Sequence, residues 1–334
     1  MSQKHYFSEI NIMRGLAVLC VVIGHSFDAT AHPTILGFLK SFVYCFHMPA
    51  FFFISGFLGQ KKEELSFQEK CKKIRHKAKR LLIPYFFLTM ISVALKMVFG
   101  MLARNPLNYD TLFIDVLVGR NNPNGGLWFL YGLFGISIIG ILLCRMNTWI
   151  LFWGSFLIYI LNSAVFHQSG QIVGFIFSYS WYFFAGASIR EVYIDLKRRM
   201  KQIPRTFLVV CQLLISVAFV FITFIYTYLI HIWLLFALVS VMGIFFLFVN
   251  ANEICKSQGR LNRYLSILGN YGTDIYMIGY YVQQSIYVIL GKVLGFDYSV
   301  YAWLMLVCGL ILPILLSKYI VRKSRILSLL ILGQ

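Results

Sequence analysis

Charge is what this chain has least of. Only 13% of its 334 residues are Asp, Glu, Lys or Arg, against about 25% in soluble domains. A chain so poor in charge cannot cover a water-facing body with polar surface. That excludes an ordinary soluble enzyme, a disordered chain and a nucleic-acid-binding module. Acidic residues are scarcest, 12 against 30 Lys and Arg, for a net charge of +18. The seven cysteines, Cys20, Cys45, Cys71, Cys144, Cys211, Cys255 and Cys308, lie in apolar stretches or among the basic loops. No pair is expected to form a disulfide, and none has metal-ligand spacing. Low-complexity tracts, internal repeats and a soluble appendage are missing too, so residues 1–334 read as a single membrane domain. What remains is hydrophobic: 59% of residues, with a mean hydropathy of +0.76.

The apolar residues fall into runs of about 17–25, the length a helix needs to cross a bilayer core. Ten runs are read, at 10–30, 37–58, 81–103, 127–144, 148–166, 171–189, 206–226, 230–249, 271–290 and 299–320. The fold class expected is all-α, a polytopic helical bundle. The first run carries Arg14 and His25 and lacks a small-residue cleavage site, so it reads as a span and not as a cleaved signal peptide. With the N-terminal end inside, the cytoplasmic segments together with Lys4, Arg14 and Lys318 hold 25 of the 30 Lys and Arg, leaving Lys40, Lys96, Arg104, Arg120 and Lys292 toward the outside. This asymmetry predicts both ends in the cytoplasm. Two loops, 60–80 and 190–205, form basic patches suited to anionic lipids or an anionic substrate. The segment 104–126 is the one long outside loop, with helical apolar spacing over Tyr109–Val118.

Ionisable residues inside a span are costly and are candidates for function. Arg14 and His25 are eleven residues apart, about three helical turns, so they share one face some 16 Å apart along the axis. Arg14 either holds an anion or snorkels to lipid phosphate. His25 is either a proton acceptor or a bundle hydrogen-bond partner. Asp28, three residues on, either orients the imidazole or marks the outer interface. In the second span His47 precedes Pro49, which is expected to kink the helix near mid-membrane and bring His47 toward His25. Ser55 and Gly56 are small enough for close approach of a helix or a ligand. Trp128 either stacks on a sugar ring or anchors the span at the interface.

Arg14-Gly15-Leu16-Ala17-Val18 running to Val22-Ile23-Gly24-His25 resembles the first-helix motif of the acyltransferase 3 family of integral membrane acyltransferases. Phe46-His47-Met48-Pro49 leading into Phe53-Ile54-Ser55-Gly56-Phe57 is similar to its second-helix motif, and the His-Met-Pro form is closest to the fucose 4-O-acetylase-like branch. Arg80-Leu81-Leu82-Ile83-Pro84-Tyr85 and Gly126-Leu127-Trp128-Phe129-Leu130 resemble two further elements. Two positions depart from the pattern. A late His is replaced in Ile275-Tyr276-Met277-Ile278-Gly279, and an Arg-x-x-Arg stands as Lys77-x-x-Arg80, with Arg75 nearby.

The resemblance implies transfer of an acetyl or other short acyl group from acyl-CoA to a hydroxyl of a surface polysaccharide or lipid-linked sugar, in a bacterial plasma membrane. No resident cofactor, metal or nucleic acid is expected; acyl-CoA is a co-substrate, and membrane lipids surround the chain. His25 would be general base or transient acyl carrier, with Arg14, Asp28 and His47 beside it. Arg75, Lys77, Arg80 and Ser55 would hold the donor, and Trp128 the acceptor. The rivals are a transporter or flippase for a glycan intermediate, which would show polar breaks in both halves, and a non-catalytic sensor. Reporter fusions at residues 70 and 334 are both expected to report the cytoplasm; an external signal from either overturns the charge-based orientation.

Overall fold

The computed structural model describes residues 7–27, 35–60, 62–100, 107–118, 122–166, 172–200, 202–257 and 259–334. All regular structure among them is helical. In chain order the helices are α1 (Ser8–Ser26), α2 (Ile35–Tyr44), α3 (His47–Gly59), α4 (Phe67–Phe99), α5 (Leu112–Val118), α6 (Trp128–Leu142), α7 (Thr148–Leu161), α8 (Ile172–Met200), α9 (Arg205–Tyr228), α10 (Trp233–Ser257), α11 (Arg260–Asn270), α12 (Gly272–Ile286) and α13 (Tyr298–Tyr319). Six stretches are long and apolar enough to cross a membrane: α1, Ile35–Gly59, α4, α9, α10 and Tyr298–Lys323. The shorter α6 and α7 are apolar as well. The protein is therefore a multi-pass helical membrane protein. Each sequence-predicted span holds a helix, with two differences: the second is two helices, α2 and α3, rather than one kinked rod, and the expected basic loops 60–80 and 190–205 are largely helical, continuing α4 back to Phe67 and α8 on to Met200.

The chain divides into two units, each with its own contacts. The first comprises Met1–Ile54, Val192–Gln283 and Ser299–Ile314. Within it α1 packs against α11, α10 and α2. Glycine sets the closest approach: a Cβ on Gly15 would run into the Leu265 carbonyl, and one on Gly269 into the Asn11 backbone. Two backbones thus touch where side chains are absent, the usual device for helix association in lipid. The Asn11 amide secures the register by donating to the Ser266 carbonyl at 3.1 Å. At the start of α1 the buried Glu9 carboxylate accepts from the Tyr193 hydroxyl and, at 2.8 Å, from Lys197 Nζ. Burial and that carboxylate push the Tyr193 phenol well above its ordinary value, which keeps it a donor.

The second unit comprises Ser55–Glu191, Gln284–Tyr298 and Leu315–Gln334. Its α4 starts with a capping box: Ser66 Oγ accepts from Glu69 N, and Ser66 N donates to Glu69 Oε2 at 2.8 Å. The first turns of α4 are charged and the apolar stretch follows from Leu81. Lys70 Nζ donates to the Leu142 carbonyl at 2.9 Å, placing a cation on the C-terminal end of α6. Gly333 has φ +68°, and its Cβ position is filled by the Arg80 backbone, so the segment after α13 folds back onto α4 there. Gly333→Val, which suffers both the backbone strain and the collision, is expected to undock that segment. Limited proteolysis after residue 320 measures it, and unchanged protection counts against the contact.

Candidate functional site

The break between α2 and α3 shapes the first unit's polar centre. Cys45 N and Phe46 N bond back three residues, to the Phe42 and Val43 carbonyls at 3.3 Å each, closing α2 with a tightened turn. Pro49 sits in the first turn of α3, where its missing N–H costs least. In a continuous helix that N–H would have served the Cys45 carbonyl. Instead Ser240 Oγ, from α10, donates to it at 2.6 Å. His47 is buried, and its Nδ1 lies 2.7 Å from the Val43 carbonyl. A carbonyl only accepts, so Nδ1 carries the proton, and in the neutral ring Nε2 keeps a lone pair.

Tyr44 ends α2 between the two histidines. Its ring centroid is 5.0 Å from that of His47 and 6.3 Å from that of His25, near-perpendicular to both. It packs close against α1 because residue 24 is glycine: a Cβ there would stand 2.5 Å from Tyr44 Cε2. His25 also meets Tyr280 of α12 edge-on at 5.8 Å. One turn on, Gln283 Nε2 donates to Val22 O at 2.9 Å and to Ser26 Oγ at 2.8 Å, tying α12 to α1 beside His25.

Arg14 lies along the same neighbour. Its stem rests on Gly272, the first residue of α12, whose Cβ would be 3.3 Å from Arg14 Cγ. Its Nη2 donates to Asn11 Oδ1 at 2.9 Å. Arg14 and His25 thus both look onto α12, as their eleven-residue spacing predicts. Asp28 lies outside the described residues.

In the second unit, Ser55 and Gly59 are one turn apart on α3. Gly59 faces Lys77: its Cβ position is 3.7 Å from Lys77 Nζ. Lys77 precedes the apolar stretch of α4. Its ammonium is held below its ordinary value by burial first, then by Arg80 and Lys73. Arg75 and Arg80 are exposed on the same helix. Neighbouring cations that disfavour one another's charge are relieved by a bound anion. Gly56, by contrast, is a packing glycine, since a Cβ there would strike the Phe183 backbone of α8. Trp128 stacks on Phe175, centroids 4.4 Å apart at 29°, so one face of the indole is occupied by α8.

Tyr44, Tyr280, Gln283 and Asp274 were missed from sequence. Asp274 and Gln283 are fully or almost fully buried polar residues in an apolar span, a signal the intramembrane rule would have caught. The two tyrosines carry no such signal. At Gly279, where the expected late His is absent, a Cβ would already be 3.3 Å from the Gly309 carbonyl. That position serves the approach of α12 to α13.

Serine 240 stands in for the N–H that Pro49 lacks. Ser240→Ala is expected to cost about 1–3 kcal/mol, since it strands a buried carbonyl, and Pro49→Ala in the same chain should recover part of it. Thermal unfolding in detergent reads both, and additive losses count against the compensation.

A family model described as an acyltransferase domain matches residues 7–322. No curated protein and no solved structure shows a significant match to the chain.

Proposed function

Because the chain belongs to the acyltransferase 3 family, we propose that this membrane acyltransferase moves an acetyl or other short acyl group from acyl-CoA to a hydroxyl of a surface polysaccharide or a lipid-linked sugar. The observation that carries this reading is the pair of imidazoles, His25 and His47, set on one tyrosine beside an interrupted helix. On this reading an imidazole lone pair takes the acceptor's hydroxyl proton as the oxygen attacks the thioester carbonyl. The new C–O bond forms, the C–S bond breaks, and the leaving thiolate receives the proton to give free CoA. In the covalent version His25 nitrogen attacks first and passes the acyl group on. Arg14 counters the negative charge that develops, and Asp28 tunes the imidazole.

The donor is a polyanion, and the charged turns of α4 suit it. Arg80 offers a planar fork and Lys77 a point charge to phosphate, with Arg75 beside them and Ser55 near the end of α3. Donor binding through these groups should weaken with salt. The charge asymmetry of the loops supports an orientation with both ends in the cytoplasm of a bacterial cell, so that α4 begins on the CoA side. The His-Met-Pro sequence supports the fucose 4-O-acetylase-like branch. Trp128, with one face already stacked, serves better as an interface anchor than as a sugar platform.

The test is acyl transfer per mole of folded, detergent-purified protein. His25→Ala is expected to lose ~10²–10⁴ in rate, the usual contribution of a positioned base, with an unchanged melting temperature. Near-normal specific activity with a lowered melting temperature would make His25 a packing residue and remove its catalytic assignment.

A further inference from the structure

The residues that lead along α2 to the imidazoles are as informative as the imidazoles themselves. Lys40 and Tyr44 stand at i and i+4 on one face of α2, and His47 opens α3 with its ring 5.0 Å from that of Tyr44. Lys40 is an ammonium near the outer end of the second apolar run, a cation within reach of a ligand that arrives from that end. Its Nζ lies 5.8 Å from the centre of the Tyr44 ring. Tyr44 is 42% exposed, while Val43, Cys45, Phe46 and His47 around it are each 5% exposed or less. One ring therefore remains open amid buried neighbours, with a cation one turn toward the Ile35 end and two imidazoles at its edge. Gly24 holds the ring in that place.

We propose that Lys40 and Tyr44 hold the acceptor, and that the acceptor is an anionic sugar carrying a phosphate or a carboxylate. Lys40 pairs with the negative group, the open face of Tyr44 carries the sugar ring, and the hydroxyl to be acylated reaches the imidazoles. A rise of ~6 Å separates residues four apart on a helix, a distance that lets one hexose touch both groups. An ammonium with three rotatable donors serves phosphate and carboxylate alike, whereas a neutral sugar offers it only uncharged oxygen acceptors, which make weaker bonds. The inference rests on the acyl-transfer reading only for the fate of the hydroxyl; the binding stands or falls by itself.

Purified protein in lipid nanodiscs is titrated calorimetrically with glucose 1-phosphate, glucuronate, methyl glucoside and inorganic phosphate. The better charged sugar is expected to bind about tenfold more tightly than methyl glucoside, the scale of one hydrogen bond to a charged group, and the gap should narrow in salt. Whether glucose 1-phosphate or glucuronate leads identifies the anionic group. Lys40→Met closes the gap and Lys40→Arg preserves it, which separates lost charge from lost fold. Tyr44→Ala weakens all three sugars and leaves inorganic phosphate unmoved. An equal gap in wild type and Lys40→Met overturns the proposal. So does inorganic phosphate binding as tightly as glucose 1-phosphate, or a wild type that binds none of the sugars. Acetyl-CoA is then added and the bound sugar weighed by mass spectrometry. Lys40-dependent binding without an acetyl mass gain removes the acyl-transfer reading and leaves the anionic-sugar subsite in place.

Discussion

A hydrocarbon interior offers no water, so every backbone group left unpaired must find its partner within the protein. That requirement governs the centre of the first unit. A non-helical link at Cys45 and Phe46 is possible because specific side chains complete it. Ser240 reaches across from α10 to the Cys45 carbonyl, and His47 turns its own ring back onto the Val43 carbonyl. The second bond is a further one to a carbonyl that already accepts from Phe46 N, and it sets which imidazole nitrogen bears the proton. The link also ends α2 at Tyr44, which frees that ring to lie between His25 and His47 instead of along a continuous helix.

Legibility followed chemistry more than geometry. Helices stood out because apolar runs of bilayer length have few alternatives, whereas the start of α4 was passed over: its Ser66-x-x-Glu69 cap lies in a stretch read as a loop for its charge. Arg14 and His25 announced themselves as ions in an apolar run, and helical arithmetic placed them on a common face. Proline 49 signalled a disturbance, yet whether it bends one helix or divides two depends on whether a donor such as Ser240 is at hand. That donor lies 195 residues beyond Cys45, whose carbonyl it serves. Tyr44 and Tyr280 were invisible for the same reason: an aromatic residue in a membrane helix faces lipid, core or substrate with equal ease, and only long-range pairing decides. Gly56 shows the converse. A glycine in a motif that resembles a ligand site is, by its contact with Phe183, a place where two helices meet.

The backbone contact between α1 and α11 has a consequence for biosynthesis. Asn11 and Ser266, which join those helices, are 255 positions apart. Helix α1 therefore waits for α11, made much later, before Asn11 meets its partner. During that interval Arg14, Asn11 and Glu9 stand in a segment whose final neighbours do not yet exist, and pairing across such a separation is intrinsically slow. The centre that bears His25 thus closes only when α10, α11 and α12 arrive.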